Sequence, residues 1–367
     1  MKILAICETT DFENFTRRTT FEAIAKISRN LDALCHTSIK NIGKVNLKSK
    51  YVKVSCYFRF IPERLFTKYR VFEILHTIIL KAFLQKYFSR YDIIVFSSPR
   101  QYYFLPLCKE KKIVFLISDP YHLLGDSYEH EKLLINNADI ILTTSSALKD
   151  IYLKKYFRHN KDNVYYWPNT VDIEIWDHDK VKNYKIRNEK VKIGFIGDFI
   201  DITDIDLLDH ITDHFRDYEF HLAGRVRIKE NNKLKHLKKI FMKKNVVYLG
   251  QYTYNKLPEI VIQWDAGIIL DSKSEISSYR HHNKLYQYLA LGKPVIAQKT
   301  QNDYDIFSDA VFLSDSKDDF VKNIMKAIEK KDDNKYIQRC LEISKNNCSI
   351  VRAGQFLEIM EKKEYAG

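Results

Sequence analysis

The chain has 367 residues, of which 45% are hydrophobic and 13% aromatic, with 60 Lys and Arg against 47 Asp and Glu and a net charge of +13; this excludes a disordered or fibrous protein and exceeds one ordinary core, so two domains of roughly 150 to 200 residues are expected. Ten glycines and seven prolines exclude low-complexity linkers, and no apolar run approaches the about 18 residues of a membrane-spanning helix. Six cysteines lie scattered without CxxC or CxxH spacing, which speaks against a zinc site or a disulfide framework and fits a reducing cytoplasm.

The opening residues, KILAIC (2 to 7), read as a first strand and not as a signal peptide, followed by a helix through FEAIAKISRNL (21 to 31). Strands are then expected over DIIVFSS (92 to 98), KIVFLIS (112 to 118) and DIILTTS (139 to 145), with helices over EKLLINN (131 to 137) and ALKDIYLKKY (147 to 156). The polar stretch from 168 to 190 has the character of a connection between domains. A second series follows: KIGFIGDF (192 to 199), YEFHLAG (218 to 224), NVVYLGQY (245 to 252), DAGIIL (265 to 270), PVIAQ (294 to 298) and AVFLS (310 to 314). Strands alternating with helices imply an α/β protein with parallel sheets, whose ligands sit beyond the carboxyl ends of the strands.

Two stretches stand out by charge. Residues 40 to 90 carry twelve Lys or Arg against Glu63 and Glu73, interleaved with ten Phe and Tyr, a composition that suits an anionic membrane surface or a nucleic acid if the aromatics face outward, and a plain solvated face if they face the core. In SSYRHHNKLYQYLALGKPVIAQ (277 to 298), Arg280, His281, His282, Asn283 and Lys284 precede a helix marked by Leu285, Tyr288 and Leu289 and ended by Gly292 and Pro294. Amides at a helix start attract anions, and neighbouring cations strengthen the attraction, so a phosphate is the natural ligand; a solvated basic turn is the plain alternative.

Read in order, NADIILTTSSALKDIY, VYYWPNTVD, KIGFIGDF, HLAGR, YLGQYTYNKLPEIVIQWDAGIIL and NKLYQYLALGKPVIA resemble the landmarks of GT-B glycosyltransferases, in particular bacterial group-1 enzymes of the teichuronic-acid or xanthan type that build surface polysaccharides. The resemblance implies two Rossmann-like domains facing each other across a cleft: an acceptor-binding domain over 1 to 175, a nucleotide-sugar domain over 176 to 345 and a helical segment over 346 to 367. It further implies transfer of a sugar from a nucleotide-diphosphate sugar to a hydroxyl of a glycan or lipid-linked acceptor, without a metal or other cofactor, on the inner face of the plasma membrane.

By the same resemblance Lys284, with the backbone amides of 281 to 284 and so of His282 and Asn283, meets the diphosphate. Arg225 is a second phosphate-facing cation, and the Gln251–Tyr252 loop clasps the base. Gln287 stands where the family commonly has a ribose-binding Glu; an amide accepts from one hydroxyl and donates to the other. Thr170 replaces a usual glycine, and GDFIDITDIDLL replaces the family's glycine-rich donor loop, so an ordinary retaining enzyme is not implied. Asp119, directly after KIVFLIS, matches the general base of inverting members, or else shapes the Asp-Pro turn. His122, Glu129, Arg17 and Arg18 are lesser candidates. DITDID (201 to 206) and DSKDD (315 to 319) are expected to be loop or cap carboxylates more than a Mg²⁺ site. The positive charge leaves open a DNA-modifying sugar transferase or a non-catalytic nucleic-acid-binding protein, although no helix-turn-helix, zinc-finger or RRM pattern is present, and no nucleic-acid partner is expected.

Overall fold

In the computed structural model, which describes residues 1–15, 17–159, 162–186 and 189–362, every named strand runs parallel to its neighbours, in two sheets. The first compact unit comprises residues 1–168, 279–281 and 349–367. Its elements are β1 (Ile3–Ile6), α1 (Arg18–Ser28), β2 (Leu31–Thr37), β3 (Lys53–Phe58), α2 (Glu63–Lys68), α3 (Arg70–Phe88), β4 (Ile93–Phe96), β5 (Lys112–Ile117), α4 (Tyr128–Asn137), β6 (Ile140–Thr143), α5 (Leu153–Phe157) and β7 (Val164–Tyr166). The sheet order is β3-β2-β1-β4-β5-β6-β7. Its central strands are buried along their whole length on both faces, which is why they read as unbroken apolar runs instead of alternating ones.

Two expectations need correction here. The helix predicted through residue 31 ends at Ser28, because Arg29 takes a left-handed conformation (φ 55°) and the Asn30 carbonyl accepts the Ile3 amide at 2.8 Å. Leu31 therefore opens β2. The helix predicted over 147 to 156 begins with a wide π turn at Leu148–Tyr152 before α5.

The second unit comprises 169–278 and 282–348. In chain order it holds α6 (His178–Val181), β8 (Lys192–Ile196), α7 (Ile205–His214), β9 (Glu219–Ala223), α8 (Asn231–Phe241), β10 (Val246–Gly250), α9 (Leu257–Val261), β11 (Ala266–Ile269), α10 (Glu275–Ser278), α11 (Asn283–Ala290), β12 (Val295–Gln298), β13 (Val311–Ser314), α12 (Lys317–Lys330) and α13 (Asn334–Asn346), with sheet order β10-β9-β8-β11-β12-β13. The final helix, α14 (Ser349–Lys362), returns to the first unit and packs on α1, its Trp167 contact tied by an indole N–H donating to the Arg352 carbonyl at 2.9 Å. Of the expected C-terminal segment, residues 363–367 lie outside the described residues.

The strand order reverses direction between β1 and β4 in one unit and between β8 and β11 in the other. At the second reversal β8 and β11 pair over only Ala266↔Ile193 and Gly267↔Gly194. Beyond that the Tyr288 hydroxyl of α11 stands between them, accepting the Ile196 amide at 2.9 Å and donating to the Ile268 carbonyl at 3.4 Å. Glycine makes this possible: a Cβ on Gly267 would lie 2.5 Å from the Tyr288 ring, and one on Gly194 1.8 Å from Trp264.

Candidate active site

Open parallel sheets bind ligands where the strand order reverses, outside the strand carboxyl ends. In the second unit that place is furnished by β8, β9, β11 and α11. β8 is followed by Gly197, whose φ of 136° no other residue adopts comfortably, and a Cβ there would lie 2.7 Å from the Lys284 ammonium. Lys284 thus lies directly over the end of β8, its ammonium 4.2 Å from the Phe195 ring centroid. A cation over an aromatic face is attracted by the negative face of the ring. Gly224, after β9, has φ 150° and would meet the Gly197 carbonyl at 1.9 Å with any side chain, so the two loops touch backbone to backbone.

The other predicted contacts fall unevenly. Asn283 and Lys284 open α11, where first-turn amides point out of the helix. The His282 amide does not join them, since it donates to the Tyr304 hydroxyl at 2.8 Å; its imidazole Nε2 is 2.6 Å from Asp271 Oδ2, just past β11. His282 is therefore a buried brace for the helix start, and His281 is placed with the first unit. Arg225 is not a lone cation: its fork grips Asp198 at 3.0 and 2.8 Å, and Arg227 Nε adds a contact at 3.3 Å. Two guanidiniums share one carboxylate, so the cluster keeps a positive charge beside Gly224. Gln251 and Tyr252 are exposed on the loop after β10, and Gln287 is buried on α11, one turn from Asn283.

In the first unit Asp119 follows β5 and accepts from Arg280 Nε at 3.1 Å. Arg17 is buried with Asp119 and Tyr121 acting on it; burial lowers its pKa, and those two groups pull the other way. Arg18 faces Glu22 instead, at 3.7 Å. The turn carrying Asp119 is held by Thr144 Oγ1 donating to the Ser118 carbonyl at 3.0 Å and by the Tyr121 hydroxyl donating to the Ser97 carbonyl at 2.8 Å.

Glu129 is exposed, and the residue that matters beside it is Glu131, which sequence reasoning passed over. Its carboxyl is fully buried, accepts the His122 amide at 2.9 Å and meets the Tyr152 hydroxyl at 3.0 Å through both oxygens. Burial pushes it up to about 8, against the pull of those hydrogen bonds. The Tyr152 hydroxyl also lies 2.5 Å from His122 Nδ1, closing a small network beneath the Asp119 turn. A Glu at i, i+3 to Leu134 on an amphipathic helix was the one signal available in the sequence.

Among the described residues no group of three or more His, Cys, Asp or Glu is placed to hold a metal ion. The clustered carboxylates serve locally: Asp204 caps α7 through the Leu207 amide at 2.8 Å, Asp201 accepts the Lys229 amide at 2.8 Å, and Asp319 accepts the Asp315 amide at 3.0 Å.

Among solved structures the chain is similar over its whole length to sucrose-phosphate synthase from Thermosynechococcus elongatus, at 14% identity, 100% of both chains and a TM-score of 0.76. It is also similar to HepE from Anabaena in complex with UDP-glucose, at 13% identity, 99% of this chain, 100% of that one and a TM-score of 0.71. A glycosyltransferase from Rickettsia africae matches at 13% identity, 98% of each chain and a TM-score of 0.71. The chain has the GT-B fold. At these identities the likeness concerns the fold alone; no family model matches the chain, and no curated protein matches it by sequence. Within the GT-B fold the reversal at β8 and β11, with Lys284 over Gly197, belongs to the second of the two Rossmann-like units.

Proposed function

We propose that the chain is a glycosyltransferase that moves a sugar from a nucleotide-diphosphate sugar to a hydroxyl of a glycan or lipid-linked acceptor, in surface-polysaccharide biosynthesis at the cytoplasmic face of an anionic membrane. The observation that carries this is the placement of the Lys284 ammonium over the end of β8, beside the outward-facing start of α11 and next to two close-packed glycine loops. The two glycines leave the backbone without side chains and the ammonium and helix start attract negative charge, so a compact anion such as a diphosphate fits the place. A solved GT-B neighbour holds UDP-glucose. Lys284 and the first-turn amides neutralise the charge that develops on the departing diphosphate, the role a metal plays elsewhere, so no metal or further cofactor enters the reaction. The Arg225–Asp198–Arg227 cluster adds charge from β9, Gln287 addresses the ribose, and the Gln251–Tyr252 loop the base.

In the first unit Asp119 takes the proton of the attacking acceptor hydroxyl, with inversion at the anomeric carbon. Arg280 holds its carboxylate in place.

The test starts with a thermal-shift screen of UDP, GDP, dTDP and CMP, followed by calorimetric titration of the best ligand and of its nucleoside. A charge-assisted bond contributes about 1.5 to 3 kcal/mol, so Lys284→Ala should weaken the diphosphate about 10- to 100-fold and leave the nucleoside unchanged. Equal loss for both ligands, or none, refutes the assignment.

A further inference from the structure

Helix α3 is apolar almost all round, yet the first unit covers only one of its faces. His76, Leu80 and Phe88 are buried, His76 stacked on Phe66 with ring centroids 4.2 Å apart. On the opposite side Val71, Ile74, Leu75 and Ile78, spaced i, i+3, i+4 and i+7, form one stripe, and all four are exposed, Val71 to 75% and Ile78 to 58%. Phe83, 70% exposed, extends the apolar surface beside the stripe, and its ring stacks at 5.8 Å on that of the exposed Phe60. A helix that is hydrophobic on every side is ordinarily buried, and a contiguous exposed patch of this kind marks a surface that something covers.

The charge around the patch selects the cover. From Arg59 to Arg90 there are seven Lys or Arg against Glu63 and Glu73. At about 100° per residue Lys81 and Lys86 lie on opposite flanks of the stripe, and both are exposed, as are Arg64, Lys68, Arg70 and Arg90. Both carboxylates are turned aside: Glu63 pairs with Arg59 at 3.0 Å, and Glu73 is partly buried beside Tyr102. An apolar stripe with cations on both flanks matches a bilayer surface, where the stripe enters the acyl boundary and the lysines reach out to anionic headgroups. A second copy of the chain fits poorly, because a two-fold contact would set the basic flanks of one copy against the basic flanks of the other.

We infer that α3 lies in the plane of an anionic lipid bilayer and anchors the protein there through Val71, Ile74, Leu75, Ile78 and Phe83. The inference rests on the membrane part of the function proposed above and gives it a definite surface. It narrows the basic and aromatic stretch from 40 to 90 to one helix. The Lys40 side chain lies outside the described residues.

The experiment is co-sedimentation of the full chain with vesicles of phosphatidylcholine alone and of phosphatidylcholine with phosphatidylglycerol, without any sugar donor. Binding is expected to the anionic vesicles, to weaken in high salt, and to fall by about tenfold or more in Ile74→Glu/Ile78→Glu, since two buried isoleucines are lost from the lipid phase. Melting temperature and nucleotide binding, measured without vesicles, should stay as in the parent, so failure of docking and failure of sugar transfer are read separately. A second variant, Phe83→Trp, reports in the otherwise native chain: its emission should shift to the blue with anionic vesicles and be quenched by brominated acyl chains. The inference is overturned if the double substitution leaves vesicle binding unchanged, if Phe83→Trp emission ignores the vesicles, or if the double substitution instead splits a dimer in sedimentation equilibrium while neither protein binds lipid.

Discussion

Replacing Glu131 by Gln keeps the shape of the side chain and removes its titration. In the folded chain burial holds this carboxyl at about 8, whereas in the unfolded chain it titrates near 4.3. The folded form therefore binds the proton more tightly, and between those two values rising pH favours the unfolded state. The slope is about 1.4 kcal/mol per pH unit, so the stability that Glu131 supplies at pH 5 is reduced by about 4 kcal/mol at pH 8 and levels off about one pH unit higher. A Gln amide can still accept the His122 amide and donate to the Tyr152 hydroxyl, as the protonated carboxyl does. Urea unfolding of both proteins at pH 5, 6, 7, 8 and 9 gives the difference in stability, in which effects common to both cancel. The two should be similar at pH 5, and Glu131→Gln should be the more stable by several kcal/mol at pH 8. A difference that stays constant across this range would show that Glu131 is ionised in the fold and that the network beneath the Asp119 turn has been misread.

Asp119→Asn should lower turnover by about 10² to 10⁴ while nucleotide affinity survives; NMR of the product's anomeric configuration accompanies it, and either retention or a near-normal rate removes Asp119 from the role of base. Tyr288→Phe strands the buried Ile196 amide and should cost about 1 to 3 kcal/mol in denaturant unfolding; a smaller cost means that water reaches this part of the sheet.

Most of the strand framework was legible because parallel strands buried on both faces need four to six apolar residues in a row, and KIVFLI, IILT, KIGFI and AGII are such runs. The end of α11 was equally plain, because Gly292 and Pro294 define where it must stop. β2 escaped notice, since its first residue, Leu31, continues the helical spacing of α1 and only the left-handed turn at Arg29 separates the two. β3, at the sheet edge, escaped too: only Tyr57 of KVSCYF is fully buried, so no apolar run announces it. The partners of site residues were out of reach for another reason. Asp198 and Arg225 lie 27 positions apart and Asp119 and Arg280 161 apart, and only the fold brings them together. The same holds for α3, whose second apolar face looks like core until α2 and the turn at 99–107 are seen to cover only the first.

The phenol of Tyr288 acts on the sheet as a stop acts on a zipper. β8 and β11 close for two residue pairs and then part, because the next rung is filled by a hydroxyl instead of a strand. The width of the gap at the strand ends is therefore set by a side chain of the very helix that carries Lys284 and Gln287. A change that lets the strands close by one further rung would narrow the gap and shift α11 in the same motion, so this part of the molecule has to vary as a block: Gly194, Gly267, Trp264 and Tyr288 need to travel together in any attempt to transplant the helix into another sheet.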